Sequence, residues 1–344
     1  MGAGCDTPGD PVSDRNINIS IDRLRRKPGA KIEGAKKIAA DARSCPKCES
    51  HFREEEMIRN ARVCGACGHH FPITAIERLD HMAGGGTWRE FATELRASDP
   101  LQFVDLAPYT QRAKQAEEQT GIGEAVIVAE LEIRGQPCVA AVMDFGFMGG
   151  SMGAVVGEKI ARACDVAAER GVPLVVSCSS GGARMQEGVI ALMQMAKTVA
   201  AFEVVNDAGQ PIVMLLTHPT TGGVWASFAA LGDITFAEPG ALIAFSGPRV
   251  IEQTTREKLP PDFGRAETQL HNGQVDAVVD RRELPERIGR FLAILSRPQP
   301  ALGAAPVVQW AQDGAERAAK VAQALPALSR RFVERVRRSE GKAS

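Results

Sequence analysis

Four cysteines are the residues whose type and spacing point most directly to chemistry. They form two C-x2-C pairs separated by 15 residues: Cys45 with Cys48, and Cys64 with Cys67. Two such pairs, joined by a hairpin, suit one tetrahedral Zn²⁺, whereas a redox motif would occur once and a disulfide needs an oxidising compartment. Four ligands close the coordination shell, so the metal activates no water. We predict a structural zinc ribbon over residues 41–72, with His69 and His70 as surface residues outside the ligand set.

Three glycine pairs are the second set of candidates: Gly149-Gly150, Gly181-Gly182 and Gly222-Gly223. Gly181-Gly182 lies between an all-apolar stretch and an amphipathic one, which is typical of a strand-to-helix joint. Backbone N–H groups at such a joint point outward and could stabilise an enolate oxyanion. The alternative is tight packing of strand against helix, and glycine pairs alone favour it. Neither a P-loop nor a dinucleotide-binding fingerprint occurs.

Other polar residues give weaker signals. Ser179 and Ser180 precede a glycine pair but form no G-x-S-x-G elbow, so no serine-hydrolase triad is indicated. His218 is either a pocket group or a loop residue, and the loop is favoured. Arg184 and Arg249 could bind ligand phosphates, although solvated or ion-paired roles are equally consistent with the sequence.

Alternating elements must position these residues. A hairpin is predicted over 125–145, followed by a helix with apolar residues from 156 to 167 and an all-apolar strand at 172–178. Later elements follow the same alternation: a helix at 185–200, a strand at 211–218, a helix at 220–231, strands at 241–247 and 275–280, and a helix at 283–296. Glycine turns at the strand-to-helix joints and this order predict an α/β domain over 73–297.

The remaining segments are less regular. We expect a flexible leader over 1–40 and short helices within 74–120, one of them capped by Thr74 with Glu77 three residues later. Residues 298–344 are basic and alanine-rich, and their apolar spacing predicts a helical tail.

Composition excludes several classes of protein. The net charge is −1 and aromatic residues make up 5% of the chain, which argues against a surface that binds nucleic acid. No apolar run approaches the roughly 20 residues of a membrane span, and the N-terminus lacks a signal-peptide pattern. We therefore expect a cytoplasmic protein, with Cys138, Cys164 and Cys178 as reduced core residues.

Several long motifs combine into a recognisable pattern. The chain closely resembles the β subunits of bacterial acetyl-CoA carboxylase carboxyltransferase in one collinear run over about residues 45–296. The motifs that carry this resemblance are C-P-K-C…C-G-A-C, M-D-F-G-F-M-G-G-S-M-G-A-V-V-G-E-K, S-G-G-A-R-M-Q-E-G, P-T-T-G-G-V and A-E-P-G-A-L-I-A-F-S-G-P-R-V-I-E-Q-T.

The resemblance implies a crotonase-like spiral of ββα units behind the zinc ribbon. It also implies that carboxybiotin on a separate carrier protein gives its carboxyl group to acetyl-CoA, yielding malonyl-CoA for fatty acid biosynthesis. The implied partners are a carboxyltransferase α subunit in an α2β2 heterotetramer, the biotin carboxyl carrier protein and the ATP-binding biotin carboxylase.

The same resemblance implies roles for individual residues. The N–H groups of Gly181 and Gly182 would hold the thioester enolate. Substrate contacts would come from Gly149, Gly150, Arg184, Gly222, Gly223 and Trp225.

Two residues depart from the family pattern. His218 stands where the family usually has Asp, and Trp225 where it usually has Ser or Thr. A paralogue acting on another acyl-CoA therefore stays open, as does a decarboxylase subunit acting on a carrier-bound malonyl group. A zinc-ribbon nucleic-acid binder is the alternative outside enzymes, and it would show steep salt dependence.

Overall fold

A computed structural model describes residues 42–256 and 258–296. The predicted leader (1–40) and helical tail (298–344) lie outside the described residues, as does the side chain of Arg249. The domain boundaries at 41–72 and 73–297 stay predictions.

The N-terminal unit is a small module built around the two C-x2-C turns. Strands β1 (Ala42–Ser44) and β2 (His51–Arg53) pair antiparallel and enclose the first C-x2-C turn. A bridge between Val63 and His70 encloses the second. The hairpin predicted between the two cysteine pairs is wrong, because helix α1 (Glu54–Arg59) follows β2 directly. Three consecutive glutamates occupy the first turn of α1, where the helix dipole favours negative charge.

Three elements connect this module to the main sheet. Helix α2 (Ala75–Ala83) begins at Thr74, whose side chain and that of Glu77 form the predicted capping box. Strand β3 (Trp88–Phe91) was not predicted, because its W-R-E-F sequence has no clear alternation. Helix α3 (Tyr109–Thr120) is polar and buries only Tyr109 and Ala116.

An eight-stranded mixed sheet forms the body. Strands β4 (Val126–Ile133) and β5 (Gln136–Met143) form the predicted hairpin, and β3 pairs antiparallel with β4 at one edge. The remaining strands are parallel to β5 and complete the order β10-β8-β7-β6-β5-β4-β3: β6 (Leu174–Ser180), β7 (Ile212–Thr221), β8 (Ile234–Ala237) and β10 (Ala277–Val278). The short strand β9 (Ile243–Ala244) pairs with the end of β7.

Helices alternate with these strands. The described helices of this part are α4 (Ala154–Arg170), α5 (Gly188–Asp207), α6 (Gly222–Trp225), α7 (Pro248–Thr255), α8 (Ala266–His271) and α9 (Leu284–Leu295). The helix predicted over 220–231 is largely wrong, since α6 has four residues and a 3₁₀ turn follows at Phe228–Ala230. Ser227 interrupts the helix, because its hydroxyl donates to the carbonyl of Gly223 at 2.6 Å and its backbone is not helical.

The core explains the all-apolar strands. Parallel strands covered on both faces bury consecutive side chains, and Val175 and Val176 are both fully buried. The core cysteines are confirmed: Cys138, Cys164 and Cys178 are buried. Burial raises the pKa of Cys138 and of Cys164 to about 12, which keeps these thiols protonated.

One helix tests the expectation about membranes. The segment Met185–Asp207 has a mean hydropathy of 1.5 over its most apolar window and is long and apolar enough to span a membrane by composition. The statement that no apolar run reaches that length is therefore wrong. This helix contains the whole of α5, which buries Gln194 and Thr198 on its inner side and exposes Val189, Leu192 and Met193 on its outer side.

Candidate active site and metal centre

The four cysteines converge as predicted. All four Sγ atoms lie within 4.8 Å of one another, with Cys45–Cys67 and Cys48–Cys64 each 3.7 Å apart. Four sulfurs bound at about 2.3 Å around a tetrahedral Zn²⁺ would lie about 3.8 Å apart, so the donor set fits this ion. The four cysteines would hold a metal ion in a closed Cys₄ shell, which leaves no position for a water molecule.

The hydroxyl of Ser50 supports this metal site. It lies 3.1 Å from the sulfur of Cys48 and 3.5 Å from that of Cys64. These hydrogen bonds lower the pKa of Cys48 and lower that of Cys64 to about 6. This donor therefore favours, at Cys48 and Cys64, the thiolate form that a metal requires, whereas burial raises the pKa of Cys67 to about 12.

A buried charge cluster joins the ribbon to the body. Glu238, directly after β8, accepts hydrogen bonds from the guanidinium of Arg281 at 2.8 and 2.6 Å and pairs with Arg78 at 2.6 Å. Arg281 also donates to the carbonyl of Phe71 in the ribbon at 2.7 Å. Burial raises the pKa of Glu238, but the charges of Arg78 and Arg281 outweigh it and hold that pKa well below its usual range.

His70 belongs to this cluster. Its side chain is 5% exposed, and its ring nitrogens lie 3.5 Å from carboxylate oxygens of Glu238 and Asp280. The prediction that His70 is a surface residue is therefore wrong. His70 thus lies in the contact between the ribbon and the body. No local pattern indicates this contact, because Glu238 and Asp280 lie far along the chain.

The three glycine pairs meet at the ends of β5, β6 and β7. A Cβ at Gly150 would lie 2.0 Å from the carbonyl oxygen of Ser179, and one at Gly182 would lie 3.2 Å from the Cα of Gly222. Gly150, Gly182 and Gly222 all have positive φ as well. The tight-packing interpretation of these pairs is therefore correct for these three glycines, because the backbones of the turns touch.

The oxyanion prediction concerns the N–H groups of the 181–183 turn. The N–H of Gly181 donates to the carbonyl oxygen of Gly149 at 2.9 Å, and that of Gly182 donates to the hydroxyl of Ser180 at 3.0 Å. Within the described part of the chain, the N–H of Ala183 has no hydrogen-bond acceptor. The donor that this turn offers to a ligand is therefore one residue beyond the predicted pair.

A cavity of about 560 Å³ opens beside these turns. Gly149, Ser151, Gly181 and Ala183 form one wall. The opposite wall is α3, which contributes Arg112, Gln115, Ala116 and Gln119. Phe145, Met148, Met185 and Gln186 complete the lining with Gly146. Of the predicted glycines, Gly149 and Gly181 thus face the cavity.

Arg184 has a different place from the one predicted. Its side chain is fully buried, and its guanidinium binds both carboxylate oxygens of Glu124, one of them at 2.9 Å. It also donates to the carbonyl of Ser151 at 2.8 Å. Burial lowers its pKa, but the hydrogen bonds and charge of Glu124 outweigh burial and raise it above the ordinary value. The prediction that Arg184 contacts substrate is wrong for this structure, because no face of the guanidinium is open.

The Arg184 cluster extends to α3 and α4. The hydroxyl of Tyr109 donates to Glu187 at 2.6 Å and receives a hydrogen bond from Arg184 at 3.0 Å. The other oxygen of Glu187 accepts from the N–H of Ala154 at 2.6 Å, at the start of α4. One buried cluster therefore fixes the turn at 181–187, the turn at 149–154 and the helix across the cavity.

The other predicted contacts lie away from the cavity. Gly222 and Gly223 pack behind Gly182, and Trp225 is half-buried against the hydrophobic core. His218 is exposed at the end of β7, where its Nδ1 accepts from the N–H of Leu242 at 3.1 Å. The structure does not bring Trp225 or His218 to the cavity wall.

Sequence reasoning missed the residues of α3. Tyr109 and Arg112 are three residues apart and therefore share a helix face, and Tyr109 is the one tyrosine of the whole chain. That spacing was a usable signal. The site role of α3 was missed because the helix lacks apolar periodicity. It buries only Tyr109 and Ala116, and the tyrosine is held by hydrogen bonds.

The fold and site define a carboxyltransferase of crotonase-like architecture. Residues 87–330 match the family model described as "Carboxyl transferase domain". A solved structure of transcarboxylase 12S, in a hexamer with methylmalonyl-coenzyme A and methylmalonic acid bound, superposes with a TM-score of 0.53 at 26% identity. That match covers 64% of this chain and 41% of the other, so the present chain spans about two fifths of that protein.

More similar relatives specify the branch of the family. A Thermus thermophilus protein named acetyl-coenzyme A carboxylase carboxyl transferase subunit beta is 50% identical over 77% of this chain and 91% of its own length. A Pelobacter propionicus protein of the same name is 48% identical over 74% and 89%. A Pseudomonas malonate decarboxylase hetero-tetramer in complex with malonate is 27% identical, with a TM-score of 0.52 over 72% of this chain and 89% of that one. The chain belongs to the carboxyl transferase family, among the acetyl-CoA carboxylase carboxyl transferase β subunits.

Proposed function

We propose that this carboxyltransferase moves the carboxyl group of carboxybiotin, held on a separate carrier protein, to acetyl-CoA and so forms malonyl-CoA. The observation that carries the proposal is the cavity between α3 and the turns at 149–151 and 181–183. Its described lining includes Ala183, whose N–H has no acceptor among the described residues, and has neither a carboxylate nor a histidine. Such a site can hold an enolate oxygen, but it offers no general base of its own.

Carboxybiotin supplies the carboxyl group and, once it has released that group, the basic atom that takes the methyl proton. In the overall exchange a C–C bond forms at the acetyl methyl carbon, an N–C bond breaks in the carrier-bound group, and the proton moves to that group. The chain's own residues then have two tasks, to orient the thioester and to stabilise its developing charge.

The N–H of Ala183 is the donor we assign to the thioester oxygen. Gly181 and Gly182 could donate only after exchanging Gly149 and Ser180 for that oxygen, so they place the donor by shaping the turn. One such donor typically contributes on the order of 100- to 1,000-fold in rate. The Arg184 cluster keeps the donor at a fixed distance from Gly149, because it binds both turns.

The zinc ion has no part in these steps. Cys45, Cys48, Cys64 and Cys67 would hold it in a closed shell, and its contribution is to fold the ribbon that Glu238 and Arg281 dock to the body.

The partners we propose are a carboxyltransferase α subunit, the biotin carboxyl carrier protein and biotin carboxylase, in a cytoplasmic complex built on an α2β2 heterotetramer. ATP binding is assigned to biotin carboxylase, because this chain has no P-loop. The exposed apolar side of α5, with Val189, Leu192 and Met193, suits the α subunit, since the related malonate decarboxylase forms a hetero-tetramer.

The other hypotheses have less support. Identity to the acetyl-CoA carboxylase β subunits is 50%, against 27% to the malonate decarboxylase chain, which favours carboxyl transfer over a decarboxylase subunit. A paralogue for another acyl-CoA would differ at the cavity, yet His218 and Trp225, the two residues that suggested it, lie outside the cavity lining. A nucleic-acid binder has no support from the family relationship.

The test is reconstitution with a matching α subunit. Purified together, the two chains should convert malonyl-CoA to acetyl-CoA in a biotin-dependent reaction. Acetyl-CoA should outcompete propionyl-CoA in the forward direction, once carboxybiotin is supplied. Absence of biotin-dependent turnover with a partner that is active with its own β subunit would refute the assignment.

A further inference from the structure

We propose that Arg112, on α3, binds the carboxylate of the malonyl-type thioester and thereby distinguishes it from the uncarboxylated acyl-CoA. This inference rests on the proposed function, since it concerns the same cavity. It adds a group that recognises the carboxyl being transferred.

Charge is the first observation. Among the described residues that line the cavity, Arg112 is the one charged side chain, and three glutamines accompany it: Gln115, Gln119 and Gln186. The lining therefore has a single positive charge, whose one ion-pair partner among the described residues, Asp105, lies outside the lining. An anion that enters meets this positive charge and no carboxylate in the lining, and Asp105 offsets part of the attraction.

Hydrogen bonding is the second observation. One terminal nitrogen of Arg112 donates to Asp105 at 2.6 Å, outside the lining. Its Nε is buried and has no hydrogen-bond partner among the described residues. Its other terminal nitrogen also has no partner among the described residues but is not buried, and the side chain is 34% exposed, so this nitrogen is the donor open to a ligand oxygen. A planar guanidinium, moreover, has the donor geometry that suits a carboxylate.

Anchoring is the third observation. Asp105 is itself fixed, because its carboxylate accepts from the N–H of Ala107 at 3.1 Å. One turn away from Arg112, Tyr109 anchors α3 in the cluster of Arg184 and Glu187. The arginine therefore stands on a helix that is fixed to the same residues that set the turn at Ala183. Thioester oxygen and carboxylate would be held by two parts of one rigid assembly.

A phosphate of coenzyme A is the other anion to consider. The pantetheine arm separates the phosphates from the thioester, whereas the transferred carboxylate is two bonds from the thioester carbon. Because the lining includes both Arg112 and the Ala183 donor, the nearby carboxylate is the better match.

The experiment measures equilibrium binding of malonyl-CoA, acetyl-CoA and free CoA to the full chain assembled with its α subunit. We expect Arg112→Gln to weaken malonyl-CoA about 10- to 100-fold, the usual range for a hydrogen bond to a charged group, while acetyl-CoA and CoA change less than about threefold. The Arg112→Lys enzyme should lose part of its affinity for malonyl-CoA, since lysine keeps the positive charge but lacks the planar set of guanidinium donors. Lys114→Gln is the matched control, because it removes the same charge from an exposed position on the same helix.

Steady-state kinetics should agree with binding: the KM for malonyl-CoA should rise in Arg112→Gln, whereas the KM for acetyl-CoA should not. Equal weakening of all three ligands would assign Arg112 to a coenzyme A phosphate and overturn the proposal. Unchanged malonyl-CoA affinity in Arg112→Gln, measured beside a wild-type enzyme that turns over, would overturn it as well. A wild type that neither binds nor turns over malonyl-CoA would overturn the proposed function and this inference together. Zinc content and unfolding curves show whether each variant folds, and Arg112→Lys provides the comparison if Arg112→Gln does not.

Discussion

Gly181→Val would test whether the cavity is the site of reaction. The Cβ of a side chain at position 181 would have the carbonyl oxygen of Gly149, at 3.5 Å, as its one neighbour within 4 Å, and Gly181 does not need positive φ. The fold can therefore accept the substitution. The added methyl groups project into the cavity, where the thioester would lie against Ala183.

The expected effect on rate is large and that on stability is small. Displacing a substrate by about 1 Å can cost about 100-fold, and losing an oxyanion donor costs a further 100- to 1,000-fold. We expect kcat/KM to fall at least about 100-fold, with the free energy of unfolding changing by less than about 1 kcal/mol. The assay is biotin-dependent consumption of malonyl-CoA by the complex with the α subunit. Zinc content should not change.

Two comparisons make this result interpretable. Gly247→Ala adds a Cβ with no neighbour within 4 Å and no need for positive φ, so it should leave activity unchanged. Gly150→Ala places a Cβ 2.0 Å from the carbonyl oxygen of Ser179 at a position with positive φ, so it should impair folding itself. A folded Gly181→Val protein with wild-type turnover would show that the chemistry occurs elsewhere.

Three further variants test the metal site and the buried charges. Arg184→Met should lower the free energy of unfolding by about 3–5 kcal/mol in urea titrations, because Glu124 stays buried without its counter-ion. Cys64→Ser should reduce the zinc content measured by atomic emission from one ion per chain to well below one, because three thiolates bind the ion less tightly. Glu238→Gln should reduce the acid sensitivity of folding. The pKa of Glu238 is lower in the folded state than in the unfolded state, where it is about 4.3. Its contribution to the free energy of unfolding is therefore complete above about pH 4.3 and is lost as pH falls toward the pKa of the folded state. Unfolding curves at pH 7, 4 and 3 should therefore converge more in the variant than in the wild type.

Controls for these variants come from the same chain. Arg89→Met breaks an exposed pair with Glu130 and should cost less than about 1 kcal/mol. Cys138→Ala removes a buried cysteine that no metal needs, so zinc content should persist. Glu132→Gln, at an exposed carboxylate, should keep the wild-type pH dependence. Equal effects in a variant and its control would contradict the corresponding assignment.

The parts of the fold that local sequence determines were predictable. The first residues of β6 and β7 are buried on both faces and are therefore consecutively apolar, and the capping box at Thr74 contains its own partner three residues later. The cysteine spacing sufficed for the metal site, because four ligands of one type restrict the possible geometry.

The parts that depend on distant partners were not predictable. From the sequence, Arg184 is expected to be a solvent-accessible cation. Its burial becomes evident only from its pairing with Glu124, which lies 60 residues earlier. His70 was misjudged for the same reason, since Glu238 approaches it through the tertiary fold. The donor shift from Gly182 to Ala183 depends on one hydroxyl, that of Ser180, whose orientation no spacing rule gives.

The close packing of the glycine turns against one another also limits which mutations could change the substrate specificity of this enzyme. Gly150 lies against Ser179, and Gly182 lies against Gly222, so no side chain can be added at these positions without moving a neighbouring backbone. Gly150 and Gly182, behind that wall of the cavity, are thus closed to stepwise mutation, whereas α3 is polar and half-exposed along its cavity face. Selection in the laboratory for a longer acyl chain should therefore yield substitutions at Gln115 and Gln119, while Gly150 and Gly182 stay unchanged.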